Sequence, residues 1–306
     1  MSFDTLIEKI DRRNNPSVIG LDPDTAHIPR HLLDAAIAKR GETLDALAAA
    51  AEAFCTGIID AVCDIVPAVK PQTAFFERLG APGTATLARV AQYASERGLY
   101  VIADAKRGDI GTTAAAYADG FLGSVKVGKQ EIFPFRFDSL TVSGYLGSDG
   151  LVPFYDAAKK HKKSVFVLVK TSNPSSGELQ DLVSDGTKIY ERMGALLESL
   201  SAKNSGKYGY SPLGAVVGAT YPRELYALRR GLPHTFFLIP GYGAQGGGAA
   251  DVVPAFDKDG RGAIVNSSRG IIAAWKKTGN DGTDFAEAAR RAALEMRDDL
   301  ARARCV

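Results

Sequence analysis

Eight apolar segments rich in β-branched residues alternate with amphipathic segments along the 306 residues of this chain. Short apolar runs bounded by glycine and polar residues are typical of buried parallel strands. The predicted strands are Ser17–Asp22, Ala68–Gln72, Tyr100–Lys106, Ser139–Ser143, Ser164–Ser172, Leu213–Thr220, Thr235–Gly241 and Gly262–Ser268. Eight strands that alternate with helices over this length predict an α/β fold, a (β/α)8 TIM barrel.

The segments between these strands have helical periodicity, clearest in Gly41–Val66, where Leu47, Phe54 and Ile58 share one face. The other predicted helices are Thr84–Arg97, Thr112–Gly123, Gly150–Lys160, Asp185–Lys203, Arg223–Arg230, Ala250–Phe256 and Asp284–Arg302. An open doubly wound sheet is the alternative fold. No Gly-x-Gly-x-x-Gly follows the first strand, which disfavours its dinucleotide-binding form. Because no linker or low-complexity tract interrupts the pattern, we expect one domain over residues 1–306.

The net charge, the hydropathy and the cysteine content limit the classes of protein to which this chain can belong. The net charge is +2, too close to neutral to indicate a nucleic-acid partner or an acidic membrane surface. No apolar run is long enough to span a bilayer, and the N-terminus has the pattern of an amphipathic helix rather than of a signal peptide. The three cysteines match no metal or disulfide framework. We therefore expect a cytoplasmic, reduced protein.

The end of the third predicted strand carries more charge than a core strand requires. Because side chains alternate along a strand, Asp104 and Lys106 are predicted to point to the same side. Lys70 ends the neighbouring second strand, and Asp109 lies on the loop that follows the third. These four groups are predicted to form a chain of alternating charges that keeps all of them ionised. Such an array serves either chemistry or a structural ion-pair network.

The ends of the seventh and eighth strands indicate a phosphate site. The glycine-rich run 240–248 would let backbone N–H groups approach an anion closely. Arg269 follows the eighth strand and can pair with phosphate oxygens through two N–H groups. Barrels often bind phosphate between these two loops. The alternative is a flexible loop beside a surface arginine.

The charge array favours chemistry that does not depend on a metal. The four histidines have no metal-ligand spacing, and no Gly-x-Ser-x-Gly nucleophile motif occurs. An ammonium fixed beside a carboxylate suits a reaction that develops negative charge on carbon. The ammonium stabilises the carbanion electrostatically and then protonates it.

The stretch at 104–111, together with Lys70, the run at 240–245 and Arg269, resembles orotidine 5′-phosphate decarboxylase. The segment 170–174 after the fifth strand is similar to that of the longer bacterial branch of this family. The resemblance extends from Asp22 to Arg269. It implies conversion of orotidine 5′-monophosphate to uridine 5′-monophosphate and CO2 in de novo pyrimidine biosynthesis, with no cofactor and no metal.

The resemblance also implies catalytic roles. Lys106 would donate a proton to C6 of the pyrimidine, with Asp104 near the departing carboxylate. Lys70 would hold Asp104 and contact the ribose. Asp109 would complete the tetrad in the active site of the neighbouring subunit, accompanied by Thr113, which implies a homodimer with shared sites.

The remaining roles implied by the resemblance are in substrate binding. Asp22 would bind a ribose hydroxyl, and Ser172 would read the pyrimidine edge. The phosphate would be held by Pro240 and Gly243 of the loop, by Gln245 and by Arg269. The run 266–268 before Arg269 departs from the family pattern, so the register there carries an uncertainty of one or two positions.

Two other functions fit part of this pattern. The Asp-x-Lys-x-x-Asp core is shared with metal-dependent sugar-phosphate decarboxylases and aldolases of the same superfamily. Those relatives place a metal-binding carboxylate where this chain has Lys70, which argues against them. A non-catalytic phosphosugar-binding protein would need the phosphate loop but not four alternating charges.

Overall fold

Eight parallel strands close into a barrel in the computed structural model, which describes residues 2–202, 204–243 and 246–304. Each strand pairs with the next along the chain, and the eighth pairs with the first. The strands are β1 (Ser17–Leu21), β2 (Ala68–Pro71), β3 (Tyr100–Arg107), β4 (Ser139–Val142), β5 (Ser164–Lys170), β6 (Leu213–Val217), β7 (Phe236–Ile239) and β8 (Ala263–Ser267). The predicted (β/α)8 barrel is confirmed, with strand ends that differ by a few residues.

Helices surround the barrel and connect its strands. They are α1 (Ser2–Arg13), α2 (Arg30–Arg40), α3 (Leu44–Val62), α4 (Thr73–Glu77), α5 (Gly80–Glu96), α6 (Gly111–Phe121), α7 (Ser148–His161), α8 (Gly177–Gln180), α9 (Ile189–Ser201), α10 (Pro222–Gly231), α11 (Ala249–Val252), α12 (Arg269–Ile272) and α13 (Phe285–Arg304). Short 3₁₀ turns span Pro174–Ser176, Val253–Ala255 and Ala274–Lys277. Within the described ranges, no helix is both long and apolar enough to cross a membrane.

The structure departs from the sequence prediction at helix ends, in loops and at α2, a helix that was not predicted. Helix α3 begins at Leu44 because the hydroxyl of Thr43 accepts the N–H of Ala46 and caps the helix. The helix predicted to begin at Asp185 begins at Ile189, since residues 183–188 form a small hairpin. A second hairpin joins Val125–Val127 to Gln130–Ile132. Its exposed strands lack the buried apolar pattern on which the strand prediction rests.

The apolar core has two parts. The larger part lies between the strands and the surrounding helices, and the smaller part fills the N-terminal end of the barrel. Helix α1 closes that end, where the ring of Phe3 stacks on Phe236 with centroids 4.9 Å apart. The hydroxyl of Tyr100 lies 2.6 Å from that of Ser164 inside the barrel. With this end filled, the open end of the barrel is the one at which the strands terminate.

Candidate active site

A cavity of about 480 Å³ opens at the carboxyl ends of the barrel strands, where barrel enzymes hold their substrates. Every strand, or the loop that directly follows it, contributes to its wall. The lining residues are Asp22, Lys70, Gln72, Asp104, Lys106, Thr141, Leu168, Thr171, Ser172, Asn173, Gln180, Val216, Leu238, Pro240, Asn266 and Ser268. This volume is within the range of small-ligand sites, about 300–1,000 Å³.

The cavity wall has a polar side and an apolar side. Strands β1, β2 and β3, with their following loops, supply the charged groups, and polar uncharged groups come from the ends of β4, β5 and β8. Strands β5, β6 and β7 supply Leu168, Val216 and Leu238. A ligand in the cavity therefore has ionised groups on one face and hydrocarbon on the other. Hydrocarbon next to charge lowers the local dielectric and strengthens the electrostatic interactions of those groups.

Asp104 is the centre of the charged side. Its Oδ2 lies 2.6 Å from Lys70 Nζ and its Oδ1 lies 2.7 Å from Lys106 Nζ. The hydroxyl of Thr141 donates to the same Oδ1 over 3.0 Å. The predicted contacts of Asp104 with both lysines are therefore present, and the carboxylate is held by three donors.

Burial and charge act in opposite directions on the pKa of each group in this array. Burial raises the pKa of Asp104, but the charges of Lys70 and Lys106 outweigh burial and leave that pKa well below its usual range. Burial lowers the pKa of Lys70, but the charges of Asp104 and Asp22 outweigh it and leave that pKa raised. Both groups are thus ionised at neutral pH, and each depends on the other for its charge.

Lys106 reaches Asp104 from an irregular part of β3. The pairing of β3 with β4 breaks between Ala103 and Arg107, and Lys106 has a φ of 49°. The hydroxyl of Thr141 accepts the N–H groups of both Ala105 and Lys106 over 3.0 Å. Thr141 therefore holds the backbone of the bulge as well as the carboxylate. A left-handed conformation at a residue with a Cβ is uncommon and is often found at functional sites.

The segment after β5 covers one side of the cavity. Lys170, fully buried, pairs with the carboxylate of Asp181 over 2.9 Å and lies 4.4 Å from the ring centroid of Tyr221. Gln180 accepts the N–H of Thr171 over 2.9 Å through its side-chain oxygen. These contacts fix the segment against the barrel, and Ser172 of this segment lines the cavity. Its predicted contact with the pyrimidine stays a prediction.

The predicted phosphate residues that the structure describes follow strands β7 and β8. Pro240 lines the cavity, whereas Gly243 and Arg269 are not part of its lining. The N–H of Gly243, at φ 73°, donates to the carbonyl of Gly247 within the loop. Arg269 is exposed and follows Ser268, which does line the cavity. Gln245, the other predicted phosphate ligand, lies outside the described residues.

Asp109 does not join the charge array of its own chain. Its carboxylate accepts the N–H of Ile110 over 2.8 Å, and neither Asp109 nor Thr113 lines the cavity. The expected four-membered chain of charges within one subunit is therefore wrong. Asp109 follows the bulge and leads away from the barrel into α6. The predicted role of both residues in a neighbouring subunit stays a prediction.

Several polar residues of the cavity wall, Thr141, Gln180 and Asn266 among them, were not predicted as site residues. Thr141 and Gln180 are single polar residues in segments without a charged motif, so no local pattern marks them. Asn266 was noticed only as part of the strand-eight end. Within the described residues, no group of three or more His, Cys, Asp or Glu side chains could hold a metal ion.

Comparisons with known proteins find relatives over nearly the whole chain. A model of the orotidine 5′-phosphate decarboxylase/HUMPS family matches residues 17–280. An orotidine 5′-phosphate decarboxylase of Rhodopirellula baltica is 46% identical over 98% of this chain and 99% of its own length. One from Caldicellulosiruptor bescii is 37% identical over 97% of each chain. The structure of Leishmania donovani OMP decarboxylase superposes with a TM-score of 0.75 at 32% identity, covering 100% of this chain and 99% of that one. The chain belongs to the orotidine 5′-phosphate decarboxylase/HUMPS family.

Proposed function

We propose that the chain converts orotidine 5′-monophosphate to uridine 5′-monophosphate and CO2, the reaction for which its relatives are named, as a step of pyrimidine biosynthesis. One observation carries the proposal. An exposed ammonium, Lys106 Nζ, and a buried one, Lys70 Nζ, bind the two oxygens of a single carboxylate, Asp104, at the wall of a nucleotide-sized cavity.

The reaction breaks the bond between C6 and the carboxylate of the substrate. The electron pair stays at C6, in the plane of the ring, where the π system does not delocalise it. The ammonium of Lys106 lies beside this carbon, stabilises the developing negative charge and donates the proton that forms the new C6–H bond. Asp104 keeps Lys106 oriented through their 2.7 Å contact, and solvent reprotonates the amine after product release. The charged partners come from the protein, so no cofactor is needed.

Rate accelerations at the upper end for enzymes, ~10¹⁷-fold, require roughly 23 kcal/mol of transition-state stabilisation. No single hydrogen bond supplies that much. Binding of the phosphate and ribose, remote from C6, contributes by holding the pyrimidine against the array. In this proposal Arg269, Gln245 and the loop at Pro240 and Gly243 hold the phosphate, Asp22 and Lys70 hold the ribose, and Ser172 contacts the pyrimidine.

We propose further that the active unit is a homodimer in which Asp109 and Thr113 act in the partner's site. The supporting observation is an apolar surface beside Asp109. Ile110 is 53% exposed and Leu146 is 49% exposed. A Cβ on Gly150 would lie 3.1 Å from Leu146 and 3.2 Å from the carbonyl of Asp109, so the loops after β3 and β4 lie side by side. The carboxylate of Asp109 makes no contact with the charge array of its own chain. Exposed apolar side chains beside such a carboxylate are expected where two subunits meet and share a site.

The chain is also proposed to act in the cytoplasm as one domain, with no nucleic-acid or membrane partner. A net charge of +2 gives no electrostatic attraction for either surface. The free thiols of Cys55 and Cys63 are consistent with a reducing compartment.

Turnover of orotidine 5′-monophosphate in the presence of a chelator tests the proposal. The purified chain is treated with EDTA, and formation of uridine 5′-monophosphate is followed by absorbance and chromatography. We expect the same rate with and without EDTA. Activity that EDTA abolishes and Mg²⁺ restores would favour the metal-dependent relatives. Binding of the nucleotide without turnover would favour a non-catalytic binding protein.

A further inference from the structure

The polar side of the cavity contains buried acceptors that no group in the described chain satisfies. Oδ1 of Asp22 and Oδ1 of Asn266 are both buried without a hydrogen-bond partner among the described residues. Both residues line the cavity, and Asn266 is only 7% exposed. A buried acceptor without a donor destabilises the protein, because it has lost its hydrogen bonds to water. Two such acceptors in one cavity wall indicate a ligand that donates hydrogen bonds there.

The side chain of Ser268 lies next to both Asp22 and Asn266. Strands β1 and β8 are paired, with Val18 opposite Asn266. The amide nitrogen of Asn266 lies 3.4 Å from Ser268 Oγ. A Cβ on Gly20 would lie 1.8 Å from Ser268 Oγ and 3.3 Å from Asp22 Oδ1, so these two oxygens are neighbours. Glycine at position 20 thus leaves the space that the Ser268 hydroxyl occupies.

Asp22, Asn266 and Ser268 form one corner of the cavity. The chemistry of this corner determines which part of the substrate it can bind. The carboxylate of Asp22 repels the phosphate and the carboxylate of an anionic nucleotide. The acceptors Asp22 Oδ1 and Asn266 Oδ1 need donors, and the Ser268 hydroxyl can both donate and accept. Neighbouring hydroxyls of a sugar have the same dual capacity. The ribose diol therefore fits this corner better than any other part of the nucleotide.

We propose that Asn266 and Ser268 bind the ribose hydroxyls of the substrate together with Asp22, and that they select ribonucleotides over deoxyribonucleotides. This inference rests on the proposed function and assigns two residues to it. Sites that hydrogen-bond a substrate hydroxyl reject analogues that lack it, because the polar groups of the site are then left unpaired.

The test compares three substrates: orotidine 5′-monophosphate and its 2′-deoxy and 3′-deoxy analogues. The variants are Asn266→Ala and Ser268→Ala. Ser267→Ala is the matched control, because Ser267 lies between them but lines a separate cavity beside Tyr242 and Gly270. Circular dichroism and urea unfolding establish that each variant is folded.

We expect Asn266→Ala to lower kcat/KM for orotidine 5′-monophosphate about tenfold, the effect of losing one good hydrogen bond. For the deoxy analogue that lacks the hydroxyl bound by Asn266, Asn266→Ala should lower kcat/KM by less than about twofold. Ser267→Ala should change neither value. Equal losses for all three substrates, or no loss with any of them, would overturn the proposal. If Asn266→Ala does not fold, the same comparison with Ser268→Ala decides. A wild-type chain that fails to turn over the ribonucleotide would instead refute the proposed function.

Discussion

Lys70 and Lys106 bind the same carboxylate but differ in burial, so their loss should have opposite consequences. The side chain of Lys70 is 5% exposed and that of Lys106 is 48% exposed. The isosteric changes Lys70→Met and Lys106→Met remove each charge with little change in volume. We expect Lys106→Met to abolish turnover while leaving stability nearly unchanged, and Lys70→Met to destabilise the fold.

The expected magnitudes follow from what Asp104 retains in each variant. Without Lys106, Asp104 keeps Lys70 at 2.6 Å and Thr141 at 3.0 Å. The side chain of Lys106 is half exposed, so solvent screens its pairing with Asp104, and a screened pair contributes up to about 1 kcal/mol. Without Lys70, a carboxylate that is 10% exposed loses its buried partner. Breaking a buried pair from one side costs about 3–5 kcal/mol.

Lys106→Met, the variant with the smaller expected loss of stability, should have the larger loss of activity, because Lys106 is the proposed proton donor. Removal of a general acid lowers the rate about 10²–10⁴-fold, and loss of electrostatic stabilisation adds about 10²–10³-fold. Urea unfolding at pH 7 gives the free energy of unfolding, and turnover of orotidine 5′-monophosphate gives kcat. Equal losses of stability in the two variants would refute the burial argument. Retention of more than about a hundredth of wild-type kcat by Lys106→Met would refute the catalytic assignment.

Three further predictions concern the phosphate, the dimer and pH. Arg269→Ala should lower kcat/KM for orotidine 5′-monophosphate far more than for the phosphate-free nucleoside; equal losses would place Arg269 outside the phosphate site. Mixed dimers of Asp109→Ala and Lys106→Met should recover activity approaching half the wild-type value per dimer, since one site inherits both defects and the other neither. No recovery, despite subunit exchange shown by native mass spectrometry, would place Asp109 in its own chain's site. The lowered pKa of Asp104 contributes stability above the unfolded pKa of about 3.9, and that contribution is lost as pH falls through the folded value. The stability difference between wild type and Asp104→Asn should therefore be constant from about pH 5 to pH 8 and narrow below about pH 4; a constant difference down to pH 2 would contradict this reasoning.

The barrel and the centre of the site were predictable because they depend on simple periodicities. Apolar runs mark the strands, and a parallel barrel brings consecutive strand ends together. Lys70 and Asp104 end neighbouring strands, so their contact followed from topology alone. Ser172 and Pro240 reached the cavity wall for the same reason.

The contacts that depend on backbone irregularity were not predictable. Alternation along β3 predicts that Asp104 and Lys106 share a side, but not that Lys106 adopts a left-handed conformation held by Thr141. The pairing of the buried Lys170 with Asp181 was also not predictable, because Asp181 lies in a segment without regular periodicity. Asp109 was placed in the array by its sequence spacing, whereas the chain after the bulge carries it away.

The central claim is that Lys106 protonates a carbanion at C6. The most direct test of this claim is exchange of the C6 proton of uridine 5′-monophosphate. Protonation run in reverse removes the C6 proton, so an enzyme that stabilises this carbanion exchanges deuterium between C6 and solvent without any decarboxylation. The product is incubated with enzyme in D2O and followed by proton NMR. We predict loss of the C6 proton signal with wild-type enzyme and none above background with Lys106→Met. Equal exchange by the two proteins, or none by an active wild type, would contradict the claim.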